Sequence, residues 1–393
     1  METYIKNYIK EKNIDDFIIL HINNDSLINS TFNGFKSDLK SKLVDSDIDM
    51  YNSNIYFIDF YMDCYLKNNK QKVISYNRRK SVVEYLKTLV LPEQRSAEWY
   101  SIRKKVLTAS SLASVLGKCH FTSRESLILD KISDKEKPYV SNPITEWGVK
   151  YEEIATKFYE KLNNVHILEF GMIPHPTFPI FGASPDGICS EDSPIEYVGR
   201  MLEIKCPPKR KFTKTVPINY LYQVQGQLEC CDLDECDFFQ VKICEYDTFE
   251  QYTNDKGEVE GTTSKGFPKG CVLTYQNIFE LKNSYMYPPE LYKNEDYFIK
   301  WNEKTKQSIE EHETKDYIET KWWYIERYEC TLVKRDRDFW NDTIPHIIKF
   351  WEDVNYYKKE GDEKLIEKIN EQKNKKPKYD NNIFVNIDKC MID

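Results

Sequence analysis

The sequence predicts an α/β fold in which helices flank a central mixed β-sheet, with extensions before and after this core. Residues 146–162 and 218–230 place apolar residues at helical spacing, so each segment is expected to form an amphipathic helix. Between them, residues 164–206 have the pattern of consecutive strands, and residues 236–246 predict a further strand. Strands and helices in this order are typical of a sheet that is covered by helices.

Further elements are expected on either side of this central region. SAEWYSIRKK (96–105) predicts a helix, and TASSLASVLG (108–117) predicts a second one with Thr108 as its N-cap. Near the other end, residues 321–336 predict a strand and residues 344–359 an amphipathic helix that closes the core.

The patterning changes twice along the chain. Residues 1–90 mix turn-prone polar stretches with short apolar runs, while regular patterns begin at Leu91. The last thirty residues are rich in Lys and Asn. We therefore predict a mostly helical N-terminal appendage at 1–90, a core domain at 91–360 and a weakly ordered Lys/Asn-rich tail at 361–393.

The composition is that of an intracellular protein with a sizeable core. Of 393 residues, 40% are hydrophobic and 14% aromatic, and no segment has the length of apolar sequence that a membrane span needs. The N-terminus lacks the pattern of a secretory signal, and the eleven cysteines are scattered, as expected of reduced thiols. A net charge of −8 does not by itself favour nucleic acid, but it does not exclude a local basic face.

One strand carries charged residues where a metal site can form. In LEIKC (202–206), alternation places Glu203 and Lys205 on one face and the apolar side chains on the other. Asp186 lies at the SPDG turn, seventeen residues before Glu203. Glu152 follows Gly148 by one turn of the preceding helix, where small neighbours allow it to approach the sheet. These three acids are expected to converge.

Three converging acids repel one another unless one binds a proton or a cation binds among them. Oxygen ligands without imidazole or thiolate select Mg²⁺ or Mn²⁺ rather than zinc. Such cations beside a lysine suit phosphodiester hydrolysis, in which one ion activates water and a second binds the leaving oxygen. We therefore expect two Mg²⁺ ions, with Mn²⁺ as a substitute, and Lys205 as a group that orients water or stabilises developing charge.

Each motif alone also fits an ordinary structure, because PDG is a common turn and Glu-x-Lys a common solvated strand face. In combination they resemble the lambda-phage exonuclease family, or YqaJ-type viral recombinases, of the PD-(D/E)xK nuclease superfamily. The matching segments, in family order, are EWYSIRKKVLTAS (98–110), GVKYE (148–152), SPDG (184–187), LEIKCP (202–207) and YLYQVQGQL (220–228).

The resemblance implies a restriction-endonuclease-like core in residues 91–360 and an activity. Family members degrade linear double-stranded DNA in the 5′→3′ direction for recombination, repair or genome processing. Large DNA viruses carry such enzymes, so a viral source is expected, with the protein in the host cytoplasm or the virion. The expected partners are double-stranded DNA ends, a single-strand annealing protein and, as in the ring-shaped phage enzyme, further copies in a homotrimer; no membrane is expected.

The resemblance also implies residue roles. The expected metal ligands are Glu152, Asp186, Glu203 and the carbonyl of Ile204. Lys205 is expected to be the catalytic lysine, and Gln223 to position it or the attacking water.

The same resemblance makes Arg103, Ser110 and Ser184 a pocket for the DNA 5′-phosphate. Ser110 would lie in the first turn of the helix capped by Thr108, where free N–H groups attract an anion. The alternative is an ordinary helix-end charge beside a cap.

A basic run, Lys209, Arg210 and Lys211, follows the catalytic strand. It is expected either to follow the DNA backbone or to be a solvated loop.

Two other functions are compatible with the same core. One is a structure-specific endonuclease or resolvase, and the other is a DNA-end-binding factor that has lost catalysis. The presence of the three acids and Lys205 argues against the second.

Overall fold

The computed structural model describes residues 1–22, 24–44, 52–133, 142–209, 212, 214–279 and 282–375. The chain divides into two compact units. The first comprises residues 1–89, 164–166 and 189–200, and the second comprises residues 90–163, 167–188 and those from 201 onward.

Four helices make up most of the first unit: α1 (Glu2–Glu11), α2 (Ile14–His21), α3 (Asp25–Val44) and α4 (Asn52–Thr88). Their core contains the fully buried Ile5, Ile14 and Ile58. The Arg79 guanidinium on α4 donates to the carbonyl oxygens of Ile195 and Glu196 at 2.9 and 3.3 Å. A segment from the middle of the chain therefore belongs to this N-terminal unit, whereas the domain boundaries drawn from the sequence stay predictions.

The second unit contains the remaining elements. Its helices are α5 (Ala97–Lys105), α6 (Leu112–Val115), α7 (Arg124–Ile132), α8 (Pro143–Asn163), α9 (Ile218–Cys231), α10 (Phe249–Asn254), α11 (Glu295–Glu310), α12 (Arg337–Glu360) and α13 (Glu363–Lys375). Its strands are β1 (Leu107–Thr108), β2 (Ile167–Leu168), β3 (Ile173–Pro174), β4 (Phe181–Ala183), β5 (Gly187–Cys189), β6 (Met201–Lys205), β7 (Glu235–Glu245), β8 (Lys269–Asn277), β9 (Asn283–Met286) and β10 (Lys315–Lys334).

The main sheet has seven strands in the order β2-β5-β6-β7-β10-β8-β9. Strands β6 and β7 are parallel, whereas β6 pairs with β5, and β10 with both β7 and β8, in antiparallel fashion. Helix α8 packs on β6, α9 on β7, and α11 on β8 and β10. The predicted class, a mixed sheet flanked by helices, is confirmed.

A second, smaller sheet corrects one expectation. The sequence predicted consecutive strands over 164–206, but these residues form five short strands that belong to two sheets. Strands β1, β4 and β3 form the separate three-stranded sheet, in that order. Three prolines between residues 174 and 179 interrupt the run, because proline cannot donate to a strand ladder.

Helix α9 approaches the small sheet closely because of a glycine. A Cβ atom on Gly226 would lie 2.9 Å from Cζ of Phe181 on β4 and 3.1 Å from Cβ of Ala109. Both distances are shorter than ordinary carbon contacts, so a side chain at this position would push the helix away. This contact sets how near α9 lies to the residues that precede β5.

The C-terminal prediction needs a correction. The sequence predicted a weakly ordered tail from residue 361, but Glu363–Lys375 form α13. Leu365 and Ile369 are buried, and the helix packs against α7. Leu365 and Ile369, four residues apart, form an apolar stripe among the Lys and Asn residues. Such a stripe is enough to hold a short helix against a neighbouring helix. Residues 376–393 lie outside the described part.

Among the residues that the structure describes, no helix is long and apolar enough to cross a bilayer.

Candidate active site

Strand β6 places Glu203 and Lys205 in the middle of the main sheet. Glu203 lies opposite Phe238 and Lys205 opposite Gln240 on the parallel strand β7. The Glu203 side chain is fully buried and forms an ion pair with the Lys205 ammonium through Oε1. The alternation predicted from LEIKC is present, and its polar face forms a buried ion pair instead of a solvated surface.

Asp186 lies beside this pair because the turn before β5 brings it back to β6. The Ile204 N–H donates to Asp186 Oδ2 at 2.6 Å. Burial, and then the charges of Glu203 and Glu152, raise the pKa of Asp186 well above its usual value, although Lys205 opposes the shift. The acids predicted to converge are therefore close enough to repel one another, which is the condition that a bound cation relieves.

Lys205 remains a cation in this environment. Burial by itself lowers the pKa of Lys205, but the charges of Glu203 and Asp186 outweigh that effect and raise it. The ammonium also lies 5.2 Å from the centre of the Tyr220 ring. The charges of the two neighbouring carboxylates therefore favour the ammonium form of Lys205.

Two glutamines of α9 hold the Glu203 carboxylate. Gln223 Nε2 donates to Oε1 and Gln227 Nε2 donates to Oε2, each at 2.7 Å. The sequence predicted a role for Gln223 but not for Gln227. Their spacing of four residues, which puts both on one helix face, was the feature that could have identified the second.

Glu152 is held by a residue that the sequence did not single out. Arg95 Nη2 lies 3.0 Å from both carboxylate oxygens of Glu152 on α8. Burial raises the pKa of Glu152, and the positive charges of Arg95 and Lys205 partly offset this.

The residues fit a hard cation by donor type. The side-chain ligands available are carboxylates, and the Cys206 thiol beside them stays neutral because burial raises its pKa. However, the described residues contain no group of three or more His, Cys, Asp or Glu side chains arranged to hold a metal ion. Each of the three acids instead accepts hydrogen bonds from the chain's own cations, amides or backbone.

The residues predicted to bind the 5′-phosphate come together next to these acids. The Arg103 guanidinium lies 4.4 Å from the centre of the Trp99 ring and 3.4 Å, through Nη2, from Ser110 Oγ. Trp99 Nε1 donates to Ser184 Oγ at 3.0 Å. Burial lowers the pKa of Arg103. A cation in such a setting favours binding of an anion.

The helix expected at Ser110 requires a correction. Ala109–Ser111 form a 3₁₀ turn, followed by the four residues of α6. The Thr108 hydroxyl does not cap a backbone N–H; it lies 3.0 and 3.1 Å from the hydroxyls of Ser110 and Ser111. A segment this short has little dipole, so any attraction for phosphate here comes from Arg103 and the hydroxyl groups.

The basic run after β6 begins at Lys209. Lys209 is exposed, while Arg210 and Lys211 lie outside the described residues.

One cleft of about 540 Å³ is lined by Arg95, Arg103, Glu152, Asp186, Lys205, Gln223 and Gln227, whereas Glu203 is fully buried behind its surface. Trp99, Ser110 and Ser184 line the same cleft.

Comparison with known proteins supports the resemblance drawn from the motifs. Residues 98–234 match the YqaJ-like viral recombinase domain. This range includes every residue predicted to act in catalysis or metal binding, and the resemblance is confirmed at the level of the domain.

The relatives come from large DNA viruses. An uncharacterized protein of Acanthamoeba polyphaga mimivirus is 31% identical over 346 residues, which cover 80% of this chain and 63% of the relative. A protein of African swine fever virus (strain Badajoz 1971 Vero-adapted) is 27% identical over 163 residues, 35% of this chain and 46% of the relative. The chain thus spans about half to two thirds of the length of these curated relatives.

Two solved structures are similar over most of the chain at low identity. An alkaline exonuclease from Laribacter hongkongensis matches with a TM-score of 0.39 and 19% identity, over 70% of this chain and 100% of that one. A phage-related exonuclease from Haemophilus somnus matches with a TM-score of 0.33 and 14% identity, over 67% and 96%.

Proposed function

We propose, on the premise that residues 98–234 form a YqaJ-like viral recombinase domain, that this protein is a Mg²⁺-dependent exonuclease. It would degrade linear double-stranded DNA from 5′ ends by two-metal hydrolysis, for recombination, repair or genome processing. One observation carries the proposal: the cleft that exposes Asp186 and Lys205 also contains Arg103 and Ser110.

The chain's oxygen atoms supply the proposed ligands. Asp186, Glu203 and the carbonyl of Ile204 would hold Mg²⁺, with Glu152 bound directly or through water. Bound Mg²⁺, with Mn²⁺ as a substitute, lowers the pKa of a water and neutralises charge on the phosphate. Gln223 and Gln227 keep the Glu203 carboxylate in a fixed orientation through bonds to both of its oxygens.

Lys205 acts as a fixed positive charge. The ammonium, paired with Glu203, donates to the attacking water or to a phosphate oxygen as negative charge develops. Its contact with Glu203 holds it beside the reacting phosphate. Gln223, bonded to the same Glu203 oxygen, limits where the ammonium can lie.

Arg103 and Ser110 would give the enzyme its proposed preference for the 5′ ends of DNA. A guanidinium and a hydroxyl bind a terminal phosphate monoester, which carries more charge than an internal diester. The Trp99 ring supports the guanidinium from one face. The strand end would then be fixed beside Asp186 and Lys205, with Lys209, Arg210 and Lys211 as proposed backbone contacts.

The proposed partners are double-stranded DNA ends, a single-strand annealing protein and further copies of the chain in a homotrimer. The proposed location is the host cytoplasm or the virion.

The test uses three substrates with Mg²⁺: a linear duplex with 5′-phosphates, the same duplex with 5′-hydroxyls, and closed circular DNA. Labels at the 5′ or the 3′ end report polarity. We expect loss of the phosphorylated duplex, slower loss of the hydroxyl duplex, and an intact circle. EDTA and Lys205→Ala should each abolish cleavage. The control Lys161→Ala, at an exposed position on α8, should not.

Each other outcome points to a named alternative. Nicking of the circle, absent in Lys205→Ala, would indicate an endonuclease or resolvase on the same core. Tight binding of DNA ends without cleavage in Mg²⁺ or Mn²⁺ would indicate an end-binding factor. Cleavage that persists in Lys205→Ala would refute the assignment of the active site.

A further inference from the structure

The turn before α5 holds Arg95 in an unusual conformation. Arg95 has φ +69°, in the left-handed region that residues other than glycine rarely adopt. On one side, Gln94 Nε2 donates to the carbonyls of Phe170 and Pro185 at 2.8 and 3.2 Å. On the other side, Ser96 Oγ accepts from the Trp99 N–H at 3.2 Å and begins α5. The turn is therefore fixed at both of its ends.

A close approach between the backbones of Gly171 and Pro92 also holds this turn in place. A Cβ atom on Gly171 would lie 2.0 Å from the Pro92 carbonyl oxygen, so only glycine allows the two segments to meet there. The strained backbone of Arg95 is thus held by its surroundings, which is how such conformations persist.

The turn directs Arg95 onto one of the proposed metal ligands. A single nitrogen, Nη2, contacts both oxygens of Glu152 at 3.0 Å. The side chains of Arg95 and Glu152 are 37% and 35% exposed, so the pair is not sealed from water. The guanidinium can therefore leave the carboxylate and be hydrated instead.

We propose that Arg95 is a displaceable counter-ion, which neutralises Glu152 until a divalent cation binds that carboxylate. This rests on the proposed function, because Glu152 must be a ligand of the metal. A divalent cation and the Arg95 guanidinium on the same carboxylate would repel each other, so binding of the cation at Glu152 favours movement of Arg95 away from it.

Competition predicts opposite effects of one substitution on stability and on metal affinity. Arg95→Asn removes the charge and suits the backbone, because Asn tolerates the left-handed region. Without divalent cations, its melting temperature should fall, since Glu152 loses its partner. In calorimetric titration of the full chain with Mn²⁺ and no DNA, its Kd should be lower than that of the wild type by about threefold or more.

The matched control is Lys104→Asn, which removes the same charge from an exposed position on α5. It should leave the Mn²⁺ Kd within about twofold of the wild type, because exposed charges without a close partner are screened. In a Glu152→Gln background, Arg95→Asn should change the Kd no more than Lys104→Asn does.

The outcomes separate this inference from the proposed function. Wild type that binds Mn²⁺, together with equal or weaker binding by Arg95→Asn, overturns the counter-ion role and leaves the nuclease proposal intact. Wild type that binds no divalent cation overturns the proposed function and the inference with it. If Arg95→Asn does not fold, Arg95→Lys serves instead: its single ammonium should compete less well, and an unchanged or raised Kd again overturns the inference.

Discussion

The ion pair between Arg335 and Glu229 offers the sharpest test of what holds α9 in place. Arg335 Nε contacts Glu229 Oε1 at 2.6 Å, and Nη1 contacts Asp232 Oδ1 at 2.7 Å. The side chains of Arg335 and Glu229 are 7% and 6% exposed. Burial by itself lowers the pKa of Arg335, but the bonds to Glu229 and Asp232 outweigh this and raise it.

The expected magnitude follows from what each substitution leaves behind. Arg335→Met keeps most of the aliphatic volume but leaves the buried Glu229 carboxylate without its ionic partner. This should lower the unfolding free energy by about 3–5 kcal/mol. Asp232 is 49% exposed, so its lost contact should add less than about 1 kcal/mol. The double variant Glu229→Met, Arg335→Met buries no charge and should lose much less than the single one, giving a coupling of about 2 kcal/mol or more.

Urea unfolding at pH 7, followed by circular dichroism, measures the three free energies. The slope against urea should stay constant, so that changes in midpoint report stability. If Arg335→Met loses less than about 1 kcal/mol, or if the double variant is no more stable than the single one, the reasoning is wrong. The result bears on the active site, because the same helix carries Gln223 and Gln227.

Three further predictions concern other positions. Gln227→Leu should slow single-turnover DNA cleavage by about 10–100-fold, with a melting temperature within a few degrees of the wild type, because it frees one oxygen of Glu203. Gly226→Val should lower the unfolding free energy by about 1–3 kcal/mol through its clash with Phe181, whereas Gly34→Ala, with open space around it, should not. Burial lowers the pKa of Lys131 from 10.5 to about 8, so the folded chain releases this proton at a lower pH than the unfolded chain. Relative to Lys131→Met, the wild type should therefore gain stability, up to about 3 kcal/mol, as the pH rises from about 8 to 10.5.

Each of these three predictions would be contradicted by a specific outcome. Unchanged cleavage by Gln227→Leu would show that Gln223 and Lys205 suffice to hold Glu203. Equal stability of Gly226→Val and the wild type in urea would mean that α9 can shift away from β4. A constant difference between wild type and Lys131→Met across the alkaline range would show that Lys131 is not desolvated.

The sequence alone predicted several local features of this protein. Alternation in LEIKC specified a strand with Glu203 and Lys205 on one face, since side chains alternate with a period of two. Helical spacing located α8 and α9, and the order of the motifs predicted the match of residues 98–234 to the YqaJ-like viral recombinase domain. The strand and the two helices depend on residues that are near one another in the chain, where backbone geometry decides the outcome.

Only the tertiary structure decided which of these features meet. Arg95 reaches Glu152 across fifty-seven positions, and no local pattern relates the two. Gln227 joins Gln223 on Glu203 because α9 packs at a distance that Gly226 permits. Ser110 lies in a 3₁₀ turn, and residues 164–206 divide between two sheets. Such outcomes depend on packing between distant segments, whose free energy is shared over many contacts and is not encoded in any short stretch.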